Sequence, residues 1–360
     1  DGVRAIKFEL EALAHFVDED DLAGATKLHE QNVADAKQQM PEEIQKLLNK
    51  PKDDRTEDEN KKLEPFLKTL DAVSRIKDQG DNTKGDIAAA IKSAAVVHKG
   101  YYGIATISHM CLESHGSCVR WEDKKLIVNH STQNVSGGPA VFASELQKQH
   151  SIDVEASDVT VLCQFVGGGF GSKFNNDDWS FAAAKMAKET GRPVRLMLDR
   201  ATELKTAGTR PSGFAEVTIA ADKEGKIVAW DSHHWGSNGG MKGGTINLAQ
   251  YPYVFLYDNI DNAHRKATGL MTNAGPDRAW RAPPHPQLCA LTDTALDDIA
   301  AKLGKSAVDV FLANIEKTPE KLQATYIAEI KRAAELIGWS KKWHAHGKGG
   351  GGAVKRGLGM

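Results

Sequence analysis

The chain has 360 residues, 41% of them hydrophobic and 26% charged, and 46 Lys and Arg against 48 Asp and Glu leave a formal net charge of -2. That balance excludes the basic field of a nucleic-acid binder, and no apolar run approaches the roughly 20 residues of a membrane span. The length allows about two domains with cores of their own.

Taken in chain order, "GVRAIKFELEALAHFVD" opens with apolar alternation at Val3, Ile6 and Phe8, a strand pattern. The chain starts at Asp1 with no methionine and no signal sequence. It is read as a processed chain or a piece of a larger one, so localisation, cytoplasmic or periplasmic, stays open. Residues 36–83 are dense in Lys, Glu and Asp. Pro41 suits a first helical turn, and Thr56 with Glu59 forms a capping box. Two short charged helices making a surface insertion are expected. A solvated face is the plain reading and a docking arm for a partner the alternative.

From residue 84 the pattern alternates. "DIAAAIKSAAVVHKGYYG" reads as a helix running into a strand, and "CVRWEDKKLIVNHST" as two strands around a charged turn. "DVTVLCQFV" reads as a buried strand. "NNDDWSFAAAKMAKETGRP" is a marked helix, with Asn or Asp at its start, Gly191 at its end and Pro193 beyond. "VRLMLDR" is the next strand, and "FAEVTIAADKEGKIVAWDSHHW" a hairpin turning at Asp222–Gly225. His233 and His234 look like a metal pair, but neighbours on a strand face opposite ways and cannot chelate together. "LCALTDTALDDIAAKLG" is an amphipathic helix stopped by Gly304, and "GKGGGGAVKRG" is a flexible loop by composition. The four cysteines, Cys111, Cys118, Cys163 and Cys289, form no C-x-x-C pair. This argues against structural zinc and against an iron–sulfur cluster held by this chain alone, and buried thiols are expected.

The stretch "FVGGGFGSKF", residues 165–174, lies between the expected buried strand and the marked helix. A strand–glycine–helix setting aims backbone N–H groups and a helix N-terminus at whatever lies above, which suits an anion. A dinucleotide fingerprint starting at Gly167 fails at Ser172, and a P-loop fails because the order is Ser172-Lys173-Phe174. On spacing alone an anion or cofactor loop and a tight turn without ligand remain equal.

Six stretches together carry a resemblance: "GGGFGSK", "AAAKMAKETGRPVRLMLDR", "TAGTRPSGFAEV", "HMCLESHGSCVRWEDKKLIVNHSTQ", "AWRAPPHPQ" and "ALDDIAAKLGKSAVDVFLANI". In this chain they resemble the molybdenum-binding large subunit of the xanthine dehydrogenase and aldehyde oxidase family, its N-terminal and middle portion. The resemblance implies an α+β fold of mixed sheets and helices. Residues 1–84 would be the end of a hammerhead-type α/β domain carrying the 36–83 insertion, 85–318 the first molybdopterin cofactor-binding domain, and 319–360 the start of the second. It implies a molybdenum–molybdopterin cofactor, with no direct protein ligand to the metal and expected in its cytosine dinucleotide form. It also implies iron–sulfur clusters and FAD on partner subunits. The activity implied is oxidation of an aldehyde or N-heterocycle with water-derived oxygen, the electrons leaving through the iron–sulfur subunit. Gln133 matches the family glutamine that contacts the metal's oxo group, Gly168, Gly169, Phe170 and Gly171 the loop that approaches the metal ligands, and Arg281 the arginine beside the site. Phe174 and Pro283 fall on the substrate wall. Glu113 and His115 match a neighbouring segment and are read as supports.

The sequence also departs from the family pattern. Phe174 replaces the glutamate of xanthine-specific members, "NLAQYPYVF" offers no substrate arginine, and no G-x-G-E-type base motif occurs. Aldehydes or simple heterocycles are therefore expected over purines. The remaining cofactor surface and the base are expected on a C-terminal half beyond Met360. A non-catalytic assembly or scaffold polypeptide of the same fold is the alternative.

Overall fold

The computed structural model describes residues 18–237, 239, 259–272, 275–345, 347–349, 352–354 and 356–360. The expected opening strand and the 247–255 stretch lie outside these residues, and "GKGGGGAVKRG" lies partly outside them.

Three helices come first: α1 (Leu22–Gln38), α2 (Glu42–Asn49) and α3 (Glu57–Val73). The capping box at α3 is formed, with Thr56 and Glu59 each satisfying the other's backbone N–H. The helices bury Met40, Ile44 and Leu63 in a small core of their own. Ala25 and its neighbours on α1 pack instead on Phe214, Trp235 and Leu270. The charged segment thus holds more helix than two short pieces, and it ends earlier. Residues 76–83, expected within the insertion, belong to strand β1 (Ile76–Lys84). Its sequence IKDQGDNTK is polar because it lies at a sheet edge, where both faces are largely exposed.

The rest is an α+β arrangement. In chain order it comprises α4 (Ile87–Ser93), β2 (Val96–Ile104), β3 (Ile107–Ser108), β4 (Gly116–Glu122), β5 (Lys125–His130), α5 (Gly138–His150), β6 (Val159–Leu162), α6 (Asp178–Thr190), β7 (Val194–Met197), α7 (Arg200–Thr206), β8 (Thr209–Arg210), β9 (Gly213–Ala221), β10 (Ile227–Ser237), β11 (Ala263–Leu270), α8 (His285–Leu303), α9 (Ala307–Ala313), α10 (Glu320–Ile337) and α11 (Trp339–Lys342). Among the described residues one sheet runs β1-β11-β10-β9-β2, with β10 and β11 parallel and the other pairs antiparallel. Helix α8 covers it, seating Leu288, Leu291, Ala295 and Ile299 among Ala215, Ile219, Ile227 and Trp230. A second sheet runs β6-β5-β4-β7. Helices α5 and α6 close it, with Phe142, Leu146, Phe181 and Ala184 against Val119, Leu126 and Val128. Each buried Phe or Leu is worth roughly 1.5–3 kcal/mol relative to exposure.

The elements of the second sheet follow the sequence closely. Val119, Leu126 and Val128 alternate with exposed positions, and Gly191 ends α6 at φ 63°. Strand β6 is short, and only Val159 and Val161 face inward, so it is half-buried rather than fully buried. His233 and His234 do face opposite sides. His233 bonds Thr268 Oγ1 at 2.9 Å, while His234 is fully buried. All four cysteines are free thiols, but only Cys111 is fully buried, and the other three are partly exposed. The small β3–β8 pair and the connections after β3, β5, β6 and β11 meet on one side of the second sheet. The candidate site is built there.

Candidate functional site at the glycine loop

Between β6 and α6 the glycine stretch turns through Gly168 at φ 96°, Phe170 at φ 53° and Gly171 at φ 109°. These conformations favour glycine. A side chain at Gly169 would overlap the carboxamide of Gln133, and one at Gly171 would overlap the carbonyl of Ala279. The glycines are therefore there because two other segments press against the loop.

The first of those segments is the end of β5 and its continuation. Gln133 N donates to Lys173 O at 2.8 Å, and Gln133 Oε1 accepts from Gly171 N at 2.8 Å and Lys173 N at 3.4 Å. Two N–H donors on one side set the amide's orientation: its oxygen faces the loop and its NH2 is left as the outward donor. Gln133 is exposed. The N–H groups of Gly169 and Phe170 have no acceptor among the described residues.

The second segment follows β11. Arg281 N donates to Phe170 O at 2.7 Å, and Arg281 O accepts from Arg210 Nη2 at 2.9 Å. The Arg281 side chain is exposed, Ala282 has φ 59°, and Pro283–Pro284 is a cis bond. Gln133, Gly169, Phe170, Gly171 and Arg281 are thus brought together, Gly169 and Gly171 buried and the other three exposed. Gly168 lies at the loop's entry. Phe174, 49% exposed, is joined to it only through Phe174 N and Gly171 O at 3.5 Å, and Pro283 lies two residues along the Arg281 segment.

Beneath these residues the loop is held by charge. Lys173 is buried, with Nζ 2.8 Å from Glu113 O and 3.1 Å from Glu113 Oε2. Glu113 Oε2 also accepts from Gly167 N at 2.8 Å and Ser131 Oγ at 2.7 Å. Burial works to raise the Glu113 pKa, but the Gly167 amide, the Ser131 hydroxyl and the Lys173 ammonium together hold it below the ordinary glutamate value. On the other side Arg278 donates to Ser172 O at 2.9 Å and pairs with Asp177, the residue before α6. Asp177 is spent on that pair and makes no side-chain cap to its helix. His109 lies between Ala279 O at 2.9 Å and Gly208 O at 3.2 Å and stacks on Trp280 at 5.0 Å. Burial outweighs those carbonyls and lowers its pKa. His115 Nδ1 meets Glu203 Oε1 at 2.8 Å, and Arg200 ties Glu203 to the Cys111 carbonyl. Asp277 is partly buried, its Oδ1 without a partner among the described residues, and desolvation pushes its pKa up to about 7.

Glu113 and His115 are supports, as their positions imply. Arg278 carries no signal in the sequence, Asp177 only that of a helix start, and His109 only its place in the resembling stretch "HMCLESHG". Arg278 sits in a Pro-Asp-Arg turn and Asp177 reads as an ordinary cap, and only the fold brings them under one loop.

An exposed amide NH2, two free backbone N–H groups and a nearby guanidinium, all at a loop too tight for side chains, form a cradle for an oxygen-rich anionic group. That donor set fits a molybdopterin cofactor. The chain belongs to the molybdopterin cofactor-binding domain family, whose sequence model matches residues 71–315. It is 29% identical over 272 residues to the aldehyde oxidoreductase molybdenum-binding subunit PaoC of Escherichia coli O157:H7, covering 74% of this chain and 36% of that protein. It is 28% identical to aldehyde oxidase 2 of Rattus norvegicus, covering 66% of this chain and 18% of that one. The fold is that of the aldehyde oxidoreductase from Desulfovibrio gigas, with a TM-score of 0.58 at 22% identity, over 74% of this chain and 30% of that chain. This chain therefore spans about a third or less of the length of these relatives.

Proposed function

We propose that this chain is the N-terminal and middle part of a molybdenum hydroxylase large subunit acting on aldehydes or simple N-heterocycles. The observation that carries the reading is the meeting of Gln133 with the Gly169–Gly171 backbone, with its NH2 and the Gly169 and Phe170 N–H groups left to donate. In this reading Gln133, Gly169, Phe170 and Gly171 hold the oxygen-bearing face of the cofactor, and Arg281 neutralises an anionic group beside it. When bound, the cofactor supplies the two-electron oxidation and the water-derived oxygen. The chain's residues bind and orient it: neutral donors placed before the reaction cost no reorganisation during it.

The cofactor is proposed in its cytosine dinucleotide form, with iron–sulfur clusters and FAD on partner subunits. No G-x-G-E-type glutamate occurs in this sequence. The proton-accepting group is therefore assigned to the remainder of the large subunit, which would also supply the rest of the cofactor surface. Phe174 and Pro283 make an apolar wall that offers no charge to polar ring atoms. A buried substrate group left without its hydrogen bond costs about 1–3 kcal/mol, and each 1.4 kcal/mol is tenfold in rate. Nothing in the site favours a scaffold that has lost the cofactor.

The test is to purify the complete complex, measure molybdenum and iron, and compare xanthine, benzaldehyde and quinoline with one electron acceptor. Molybdenum near one atom per chain, with benzaldehyde or quinoline turning over at least about tenfold faster than xanthine, is expected. A molybdenum-free complex refutes the cofactor reading, and xanthine turning over as fast as the best aldehyde refutes the substrate class.

A further inference from the structure

We infer that the pair of buried Lys173 and half-buried Glu113 is a positioning device for the Gln133 amide, beyond its part in folding. A lysine usually carries its ammonium outward to water, and this one runs inward with a side chain 0% exposed. Its charge is met by one carboxylate oxygen and one carbonyl of the same residue, Glu113.

Glu113 Oε2 gathers three donors from three places in the sequence: Gly167 N at the start of the loop, Lys173 Nζ at its end, and Ser131 Oγ at the end of β5. A second bond, Glu113 N to Gly167 O at 3.1 Å, fixes the same register. One atom thereby sets the loop's two ends and the strand beside it at fixed separation.

From there the path to Gln133 is short. Lys173 O accepts from Gln133 N at 2.8 Å and from Thr132 Oγ1 at 3.1 Å, and Lys173 N points at Gln133 Oε1. Where the ammonium is anchored, the Lys173 peptide follows, and with it the direction of the glutamine's NH2. Neither side chain of the pair bonds Gln133, Gly169, Phe170, Gly171 or Arg281 directly, and the pair acts through the Lys173 peptide. This role rests on the cofactor reading above.

The experiment uses the complete complex with three variants: Glu113→Gln, Lys173→Met, and the double variant Glu113→Leu/Lys173→Met. Removing the Glu113 charge leaves the buried Lys173 ammonium uncompensated, and removing Lys173 takes one of three donors from Glu113, whereas replacing both with apolar groups of similar size often restores stability. Both single variants are expected to melt lower, and the double variant near wild type. Hydrogen exchange of a peptide covering residues 166–174 is then compared with one covering β4 and β5. The double variant is expected to exchange at least about tenfold faster in the loop and unchanged in the strands, because the register is lost though the core is sound. Its kcat is expected to fall about 100-fold with KM within about threefold, as for a group misplaced by about 1 Å, and its Mo(V) paramagnetic signal to change shape.

A double variant with wild-type loop exchange overturns the inference, whether or not the complex holds metal. So does one with wild-type kcat and an unchanged signal. A wild-type complex without molybdenum refutes the cofactor reading alone, and the loop-exchange comparison still decides whether the pair sets the loop's register.

Discussion

Gly171→Ala puts the glycine loop under its most direct stress. Gly171 has φ 109°, outside the region L side chains accept, so any side chain there costs roughly 1–3 kcal/mol in backbone strain alone. The added carbon would also overlap the Ala279 carbonyl, which is backbone and cannot swing away. To restore ordinary contact, the loop or the segment after β11 must move by roughly an ångström, a displacement that costs about 100-fold when it falls on catalytic groups. Gly171 N is one of the two donors holding Gln133 Oε1, so the amide moves with the loop. The control is Gly191→Ala at the end of α6, at φ 63° with no atom within 4 Å of a new side chain. It pays about 1–2 kcal/mol for a left-handed alanine and nothing else. The assay is molybdenum content and benzaldehyde turnover of the complete complex, with melting temperature alongside. Gly171→Ala is expected to lose about 100-fold in kcat or most of its metal, and Gly191→Ala neither. Equal behaviour of the two variants in turnover and metal would refute the reasoning, because the loop would then be an ordinary turn.

Arg278→Met leaves Asp177 buried beneath the loop without its partner, and should cost about 3–5 kcal/mol in chemical denaturation; a midpoint within error of wild type would show the pair is not what holds Ser172. His264 sits between Asp231 Oδ1 at 2.7 Å and Asp81 Oδ1 at 2.9 Å, and the Asp231 bond in particular raises its pKa above 6.5. Its stabilising effect is therefore complete below pH 6.5 and lost as pH rises through the higher folded value. His264→Gln should remove a fall in stability that sets in above about pH 6.5, and an unaltered pH slope would contradict the assignment. Asp277 also has a raised pKa, but through desolvation and not through a partner. Its folded pKa of about 7 against an ordinary 3.8 means that stability held below pH 4 is lost as pH rises toward 7. Asp277→Asn should raise the melting temperature at pH 8 and leave it nearly unchanged at pH 4, and a variant less stable than wild type at pH 8 would show that the charge has a partner.

What could be read from the residues was mostly local. Helix α6 announces itself through Asp177, Gly191 and Pro193, and α3 through Thr56 and Glu59, because caps act within one turn. Strand β1 escaped notice since an edge strand needs no apolar face, and IKDQGDNTK has almost none. The meeting of Gln133 with the glycine loop was legible only through resemblance. No spacing rule links residue 133 to residue 171, and the bond depends on how two loops end above one sheet. Glu113 was recognisable as a support, but that Lys173 turns inward to it was not, since a lysine after a glycine loop as readily points to solvent. Arg278 and Asp177 lie on different segments and meet through tertiary structure alone.

Strand β1 pairs with β11, so that Ile76 lies opposite Leu270 and Lys84 opposite Ala263. During synthesis, at about 5–20 residues per second, β1 therefore waits roughly 10–40 s for its one sheet neighbour among the described residues. Helix α1 waits with it, because Ala25 packs on Trp235 and Leu270. Over that interval the early helices have the small core around Met40, Ile44 and Leu63 to hold them together. The part of the described chain that leaves the ribosome first is then among the last to be locked in place. A chaperone or a protease acting on nascent chains would meet it there, with an apolar stripe and an unpaired strand edge on offer.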